Sequence, residues 1–569
     1  MPGRQRASSG EAKLMPRTQK PHPGPDLSWR TATLVVAMLG MTVLTARCWM
    51  LRDRPFIGSP DEAAYTHQAS MILAGHGLRV NYVQHFFTRY SRLPHPEDHY
   101  GPGLGVILAP VLAARVGPTD FAAVLPALVV GSLLVPLMTL LAARRLGASP
   151  AFAVGGATFS LLALLPQDLS GRVLADVPFT AILFAAWLSV WRHRPAPAWR
   201  WFWAGALLGV AYLLKPAALL HVPALLPTLW LGAAEREGEL GRGDRVRAFA
   251  ALCVGLALPT LPWMARNAAV YGDPLHSANK HIAVGEDYRE DWQENGFRRV
   301  WWAHPGDEIP TLSKALGQYG AGRMAEVLLR RLRLSLAGRE VWWLTLALLV
   351  GAGMLRRREG WSLAAYHLGH AALLAAVFPV WPRYLLLLWP AAGALVSAAL
   401  SRLCHDLAVD TRPRSAQAAR NLSLAAAVCV GVLAAWPGPQ HLWTHLVVYG
   451  PSGSAALVDP AHNALKDVAR WCGAALPPDS VLMVQDCWRF VHYSGLPSVN
   501  IPTDSASAID AVVRAYGVTH VVLIPEATTD EDLLLARDYL KESRLDWERQ
   551  PSATAEVYAC SSPGLSTAM

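Results

Sequence analysis

Long apolar runs alternate with short polar segments over most of the chain, and the run lengths predict membrane-spanning helices. About 20 apolar residues are needed to cross a hydrocarbon layer roughly 30 Å thick, so we predict about eleven spans. They cover residues 31–51, 121–143, 151–165, 177–191, 201–231 (two short spans divided at Lys215-Pro216), 248–264, 341–355, 362–380, 384–400 and 422–436. The run 103–114 is too short to cross and is predicted to be interfacial or re-entrant.

Basic clusters beside these runs predict the orientation. They are Arg144-Arg145, Arg192-His193-Arg194 and Arg356-Arg357-Arg358. Because Lys and Arg near span ends are retained on the cytoplasmic side, the N-terminus is predicted inside and the C-terminus outside, with the large polar loops also outside. Residues 1–30 are then a disordered, basic cytoplasmic tail. Residues 31–437 form the transmembrane domain, whose first extracytoplasmic loop is 52–120.

From about residue 440 the pattern becomes that of a soluble α/β protein. Residues 481–484, 498–501 and 520–524 predict strands, while 461–472, 506–516 and 531–541 predict helices. Strand and helix alternation favours a small domain with a largely parallel sheet over residues 440–569. The segment contains no G-x-G-x-x-G or P-loop pattern, so nothing in it indicates nucleotide binding. The predicted fold is an α-helical polytopic membrane protein with a small extracytoplasmic α/β domain.

Composition supports a membrane protein and excludes a nucleic-acid partner. Charged residues make up 16% of the 569 residues, against about 25% in soluble chains, and the chain has 22 Trp and a mean hydropathy of +0.24. The net charge of +9 could indicate nucleic-acid binding. That function requires basic residues gathered on one solvated face, whereas here they flank apolar runs and serve as topology signals.

The first candidate for chemistry is the pair Asp61-Glu62, just after the first span. Adjacent carboxylates at a membrane boundary are costly to bury and are rarely placed there without a use. One of them could act as a general base toward an acceptor hydroxyl. The alternative is a solvated helix N-terminus, because Ser59 before Pro60 is typical of an N-cap and acids suit the first turn.

The second candidate is the segment 94–103, which carries His95, Glu97, Asp98, His99 and Tyr100. Its two histidines and two acids could bind a divalent metal, with His95, Glu97 and His99 as candidate ligands. The alternative is a polar turn shaped by its Pro and Gly residues. The spacing does not decide between them.

The remaining candidates are Asp176, in the outside turn 167–176 beside Arg172, and three cations at the outer interface. The cations are Lys215, Arg266 and Arg383. Each alone could snorkel toward headgroups, or bind the phosphate of a lipid. As a set on one face together with acids, they are typical of a site.

In their order and sidedness these features resemble the GT-C glycosyltransferases, in particular the protein O-mannosyltransferase and lipid A aminoarabinose transferase type. The matching elements are Asp61-Glu62, the turn 99–104, Ala175-Asp176-Val177-Pro178, Leu214-Lys215-Pro216, the segment 261–267, Tyr271-Gly272-Asp273-Pro274 and Arg383-Tyr384-Leu385-Leu386. The resemblance covers roughly residues 30 to 400. It also extends to the C-terminal domain, which is similar to the extracytoplasmic tail of many bacterial relatives.

The resemblance implies inverting transfer of a sugar from a polyprenyl phosphate to an acceptor at the outer face of a bacterial plasma membrane. Asp61 maps onto the general base, and Glu62 and Asp176 onto residues that support the site or the acceptor. The donor-phosphate residues would be Lys215, Arg266 and Arg383, and the acceptor or loop contacts would be Tyr65, His99 and Tyr100. The sugar, and whether the acceptor is a protein, a lipid or a polysaccharide, are not specified by the resemblance.

The sequence departs from the family pattern at Gly101-Pro102-Gly103, where relatives often carry Pro-Pro-Gly or Pro-Pro-Leu. A divalent metal also stays open, because some members of the superfamily use one and others do not. The competing function is a transporter or flippase of a lipid-linked or small polar substrate, which predicts internal repeats and ionisable residues at mid-membrane. We find no such repeat. A non-catalytic scaffold would leave the outer-face acids and cations unexplained.

Overall fold

The computed structural model describes most of the chain between residues 27 and 560. The main gaps in the description are 53–58, 115–118, 164–168, 192–195, 227–241, 282–297 and 411–459, with shorter ones within 305–385 and 526–554. The predicted tail, apart from its last four residues, and the predicted span 422–436 therefore lie outside the described residues.

The transmembrane region consists of helices that follow the predicted spans closely. They are α1 (Trp29–Leu51), α4 (Thr119–Val129), α5 (Val135–Arg145), α6 (Pro150–Leu162), α7 (Asp176–Val190), α8 (Ala198–Leu214), α9 (His221–Leu225), α10 (Arg242–Tyr271), α11 (Arg339–Leu355), α12 (Arg358–Val377) and α13 (Leu388–Asp410). A π turn, Val130–Leu134, joins α4 to α5, and a 3-10 turn, Pro216–Leu220, precedes α9. Lys215 stands at the break between α8 and that turn, as the sequence predicts.

Three helices in the described part of the chain are long and apolar enough to cross a membrane. They are Trp29–Leu51, Phe121–Arg145 and Gly243–Tyr271. Five shorter apolar helices accompany them, among them α3 (Gly103–Ala113), which covers the run predicted to be interfacial or re-entrant. The count of eleven spans stays a prediction.

The helix that contains the predicted span 248–264 is longer than that span. α10 continues through Arg266 and Asn267 to Tyr271. The helix also contains Pro259 and Pro262, residues that membrane helices tolerate because neighbouring groups satisfy the freed backbone. In its last turns the Arg266 guanidinium donates to the Glu97 carbonyl of the first loop, and the Asn267 side chain donates to the His276 carbonyl.

The first loop is folded into its own elements. They are α2 (Pro60–Leu73), β1 (Arg79–Val80), β2 (Tyr82–Val83) and β3 (His95–Pro96), followed by α3. β1 pairs antiparallel with β3. β2 pairs in parallel with a strand more than 400 residues later, Tyr82 opposite Ser498 and Val83 opposite Val499.

The C-terminal region has strands and helices where the sequence predicts them, plus one helix, Cys487–Ser494, and two antiparallel strands that it does not predict. The elements are α14 (Pro460–Ala475), β4 (Leu482–Val484), α15 (Cys487–Ser494), β5 (Ser498–Val499), α16 (Ala506–Tyr516), β6 (His520–Leu523), α17 (Asp530–Glu542), β7 (Trp547–Gln550) and β8 (Glu556–Cys560). The sheet order is β2-β5-β4-β6-β8-β7, parallel from β2 to β6 and antiparallel beyond. The predicted domain 440–569 is therefore completed by a strand of the first loop.

Both faces of this sheet are covered, as expected for strands that are apolar on each side. Leu482 and Val484 pack with α14 and α15, whereas Met483 packs with α16 and α17. Tyr100 and Trp488 contact the core between α14, α15 and the sheet and also the core of the membrane helices. These two aromatic residues thus join the sheet to the membrane domain beside α2.

The link between the first loop and the sheet depends on Asn500, whose side-chain nitrogen donates to the Gln84 carbonyl at 2.9 Å and whose oxygen accepts from the Cys487 amide at 3.2 Å. We expect Asn500→Ala to leave these buried groups unpaired and to lower the free energy of unfolding by about 1–3 kcal/mol. Hydrogen exchange at the amides of 82–84 should become about tenfold faster. Arg537→Ala, which removes a partly exposed ion pair with Glu556, serves as the control. Unchanged exchange at 82–84 in Asn500→Ala would contradict this role.

Candidate active site

The first turn of α2 carries the two adjacent acids. Ser59 caps the helix, accepting from the Glu62 amide at 3.4 Å, and Pro60 occupies the first helical position. The alternative interpretation of a helix N-terminus is therefore correct for Ser59. The acids are not simply solvated, however, because Glu62 is fully buried and the Asp61 side chain is only 28% exposed.

Asp61 is held on both carboxylate oxygens. Tyr100 donates its hydroxyl to Oδ1 at 2.8 Å, and Arg383 donates Nη1 to Oδ2 at 2.7 Å. Burial alone would raise the pKa of Asp61, but the Arg383 charge and the hydrogen bonds from Tyr100 and Arg383 outweigh it and lower the pKa. Asp61 is consequently an ionised, oriented carboxylate that can accept a proton.

A second acid–cation pair lies beside the first. Lys215 donates Nζ to Asp176 Oδ1 at 2.7 Å, and both side chains are largely buried. Asp176 begins α7, where the helix dipole favours a carboxylate, and Lys215 follows the last turn of α8. The Lys215 charge also helps to lower the Asp61 pKa, so the two pairs share one electrostatic site.

Glu62 faces away from this pair toward the turn before α7. Its Oε2 accepts from the Val173 backbone amide at 2.9 Å. Its own carbonyl accepts from the Thr66 hydroxyl at 2.8 Å. Glu62 therefore connects the first turn of α2 to the turn before α7, whereas Asp61 binds the side chains of Tyr100 and Arg383.

The unusual Gly101-Pro102-Gly103 is explained by a close approach between two backbones. A Cβ atom at Gly101 would lie 2.2 Å from the Leu213 carbonyl oxygen, and one at Gly103 would lie 2.9 Å from the Leu213 carbonyl group. Only glycine fits at such separations. The first loop thus lies directly on the end of α8, two residues before Lys215.

Glu97 fastens the loop from within. Its Oε1 accepts from the amides of His99, at 2.7 Å, and Tyr100, at 3.0 Å, and the Tyr82 hydroxyl lies 3.4 Å from Oε2. Burial and the neighbouring Asp98 raise the pKa of Glu97 to about 7. Because these contacts orient Tyr100, Glu97 supports the Asp61 carboxylate indirectly.

Asp98 forms a second buried junction in the loop. Tyr90 donates its hydroxyl at 2.7 Å and His85 Nε2 lies at 3.1 Å, while the Asp98 carbonyl accepts from the Ala278 amide at 2.9 Å. Burial would raise the Asp98 pKa, but His85 and hydrogen bonds from His276 and His85 lower it well below its usual value. This junction ties the loop to the segment that follows α10.

The metal candidates do not converge. The ring nitrogens of His95 lie 2.8 Å from the carbonyl oxygens of Pro96 and Tyr82, and Glu97 is engaged as described. Burial lowers the pKa of His99 to about 4, and its ring packs against Tyr100. No group of three or more His, Cys, Asp or Glu side chains in the described ranges could hold a metal ion. These residues therefore do not fit a metal centre.

The structure brings some of the predicted site residues to Asp61, but not all of them. Tyr65 packs on Tyr100 with ring centroids 4.9 Å apart, beside Asp61. Arg266 instead donates to the Glu97 carbonyl and to Asn267, both at 2.8 Å, and stacks on Trp263 and Tyr271. It holds the loop in place and, within the described part of the chain, forms no hydrogen bond or ion pair with Asp61 or Asp176.

Sequence reasoning missed Arg47, which is 8% exposed and donates Nη1 to the Ser170 hydroxyl at 2.6 Å. A signal was present, because Arg47 is the single charged residue in the predicted span 31–51 and intramembrane charges are rarely without function. Asp98 was considered only as a metal-site acid, and its histidine and tyrosine partners are too far apart in sequence to be recognised.

No family model matches the sequence, and a search of curated proteins finds no match. Solved structures do match the fold. ArnT from Cupriavidus metallidurans bound to undecaprenyl phosphate aligns over 94% of this chain and 99% of its own, at 16% identity and a TM-score of 0.55. Its apo state gives a TM-score of 0.58. The archaeal oligosaccharyltransferase AglB from Archaeoglobus fulgidus, in complex with an inhibitory peptide and a dolichol-phosphate, aligns over 93% of this chain and 74% of its own, at 12% identity and a TM-score of 0.56.

The chain has a GT-C fold. The resemblance drawn from the order of polar motifs is thereby confirmed at the level of the fold. Within this GT-C fold, the site combines the Asp61 carboxylate and its side-chain partners with the buried Asp176–Lys215 pair. Glu97 and Asp98 hold the first loop in place beside them.

The raised pKa of Glu97 predicts a pH-dependent stability. Its pKa is about 7 in the folded protein against an ordinary 4.5, so the stabilisation is complete below about pH 4.5 and is lost as the pH rises through 7. Glu97→Gln keeps an acceptor for the two amides without the charge. We expect its unfolding temperature in detergent, relative to wild type, to increase between pH 5 and pH 8.

The control for this measurement is Glu548→Gln, on the exposed edge strand β7. A difference between Glu97→Gln and wild type that stays constant from pH 5 to pH 8 would show that Glu97 does not ionise in that range.

Proposed function

We propose that this protein is a membrane glycosyltransferase. It transfers a sugar from a polyprenyl phosphate to an acceptor hydroxyl at the extracytoplasmic face, with inversion at the anomeric carbon. The observation that carries the proposal is the Asp61 carboxylate, held between Tyr100 and Arg383 beside the Asp176–Lys215 pair. A GT-C fold shared with proteins solved with undecaprenyl phosphate and dolichol-phosphate supports a donor of this class.

In this mechanism Asp61 takes the proton from the acceptor hydroxyl as its oxygen attacks the anomeric carbon of the sugar. A new carbon–oxygen bond forms on one face, and the bond from the anomeric carbon to the phosphate oxygen breaks on the other. The phosphate retains the electron pair of the broken bond. One displacement inverts the configuration, and general-base assistance of this type contributes about 10²–10⁴-fold to rate.

The leaving phosphate requires fixed positive charge, since charge that develops on it is stabilised best by preorganised cations. Among the described residues, Lys215 and Arg383 are cations that pair with the carboxylates of the site, Asp176 and Asp61. Arg383 is 30% exposed and can share its planar guanidinium between Asp61 and an incoming phosphate. That sharing would weaken its hold on Asp61 and make Asp61 a stronger base when the donor is bound.

The other candidate residues support Asp61, Lys215 and Arg383. Glu62 positions the backbone at Val173, and Asp176 positions Lys215. Arg266 holds the first loop in place, and the rings of Tyr65 and His99 pack against Tyr100. The lipid tail of the donor would stay in the bilayer while its sugar meets the acceptor at the surface. We assign the protein to the bacterial plasma membrane, with its C-terminal domain outside the cytoplasm.

The direct test uses protein reconstituted in liposomes with a panel of radiolabelled polyprenyl-phosphate hexoses and pentoses, and with peptide, lipid and oligosaccharide acceptors. Asp61→Asn should reduce transfer by about a hundredfold or more. The matched control is Asp244→Asn, which alters an exposed carboxylate at the start of α10. Equal transfer by Asp61→Asn and wild type would refute Asp61 as the base. Label that crosses the bilayer while attached to lipid would establish a transporter instead.

The pH profile gives an independent prediction for Arg383. The low pKa of Asp61 depends on the Arg383 charge, which offsets the opposing effect of burial. In Arg383→Gln burial should prevail, so the Asp61 pKa rises and the acid limb of kcat/KM moves to higher pH. Arg383→Lys keeps the charge and should retain most of the wild-type limb. An unshifted limb in Arg383→Gln would mean that Asp61 does not control the rate.

A further inference from the structure

Two charged side chains, Arg47 and Glu62, bind the turn 169–174 from two different helices. Arg47 on α1 donates to the Ser170 hydroxyl at 2.6 Å, and Glu62 on α2 accepts from the Val173 amide at 2.9 Å. Three residues after Val173, Asp176 begins α7 and binds Lys215. The turn therefore connects two charges on separate helices to the proposed phosphate-binding pair.

Arg47 does not behave as an interfacial arginine. It lies one turn before the outer end of α1, where its side chain could extend to water or headgroups. It is instead 8% exposed, and its partner Ser170 is 2% exposed. Removing an arginine side chain from water is costly, and ionisable residues within membrane helices usually face the protein interior and pair with other groups.

The turn also packs closely against the π turn between α4 and α5. A Cβ atom at Gly131 would lie 2.7 Å from the Ser170 Cβ. π turns within α-helices are frequent at functional sites. Ser170 therefore contacts both the π turn and Arg47.

We propose that Arg47 and Glu62 are positioning residues that clamp the turn 169–174 and thereby fix the Asp176–Lys215 pair for the donor phosphate. The inference rests on the proposed function, because it concerns the phosphate side of the same site. Arg47 and Glu62 touch no reacting atom in this scheme. Loss of the clamp lets Asp176 shift, and Lys215 then meets the phosphate in a less favourable position.

The test measures binding of undecaprenyl phosphate, with undecaprenol, which lacks the phosphate, as the reference ligand. Arg47→Met and Ser170→Ala should each weaken undecaprenyl phosphate binding, by about tenfold for Arg47→Met. Undecaprenol binding should not change. The double variant should be no weaker than Arg47→Met alone, because both substitutions break the same contact. The donor KM should rise while kcat at saturating donor stays within about twofold.

The matched control is Ser132→Ala. Ser132 is 1% exposed on the π turn, and its hydroxyl has no hydrogen-bond partner among the described residues. Its removal should leave phosphate binding unchanged. If Arg47→Met lowers only the unfolding temperature, and folded protein binds undecaprenyl phosphate as wild type does, the clamp has a structural role alone and the proposal is overturned.

Hydrogen exchange separates this proposal from the proposed function. The Val173 amide should exchange faster in Arg47→Met and in Glu62→Ala, but not in Lys215→Met. Wild-type protein that binds no undecaprenyl phosphate would refute the phosphate site, whatever happens at Val173. Val173 exchange that is unchanged in Arg47→Met would refute the clamp, even where donor binding is intact.

Discussion

The site depends on the cost of placing carboxylates at the edge of a low-dielectric membrane domain. An acid in such a position stays ionised only if a cation or a set of donors balances it. The acids of the site contact different partners: Asp61 binds Arg383 and Tyr100, Asp176 binds Lys215, and Glu62 accepts from the Val173 amide. The Asp176–Lys215 pair is largely buried, and breaking a buried pair costs about 3–5 kcal/mol. These contacts also hold distant parts of the chain together.

The first loop is where these requirements meet. It lies on α8 through Gly101 and Gly103, is fastened to α10 by Arg266, and enters the C-terminal sheet through β2. Glu97 and Asp98 bind groups within the loop and the segment after α10. The loop therefore connects the membrane helices and the soluble sheet to Tyr100, whose hydroxyl binds Asp61.

The sequence predicted the helices well because their apolar runs are long and their basic ends are unambiguous. It also singled out Asp61, Asp176 and Lys215, which the structure brings together, since charged residues stand out at the ends of apolar runs. It could not predict that Arg383 meets Asp61, 322 residues away, or that Arg266 turns toward the loop. It also missed β2, because a two-residue strand has no readable alternation. The local pattern of apolar and polar residues indicates which segments are buried. The contacts of Arg383, Arg266 and β2 depend instead on how distant parts of the chain pack together.

The pairing of β2 with β5 has a consequence for biosynthesis. The strand of the first loop emerges early, but its partner and the Asn500 side chain follow 416 residues behind Gln84. At about 5–20 residues per second the ribosome needs about 20 to 80 s to supply them. During that interval the loop lacks its partner strand, and Tyr100 lacks the C-terminal residues against which it packs. The surroundings of Asp61 are thus completed only after the distal end of the polypeptide has been synthesised.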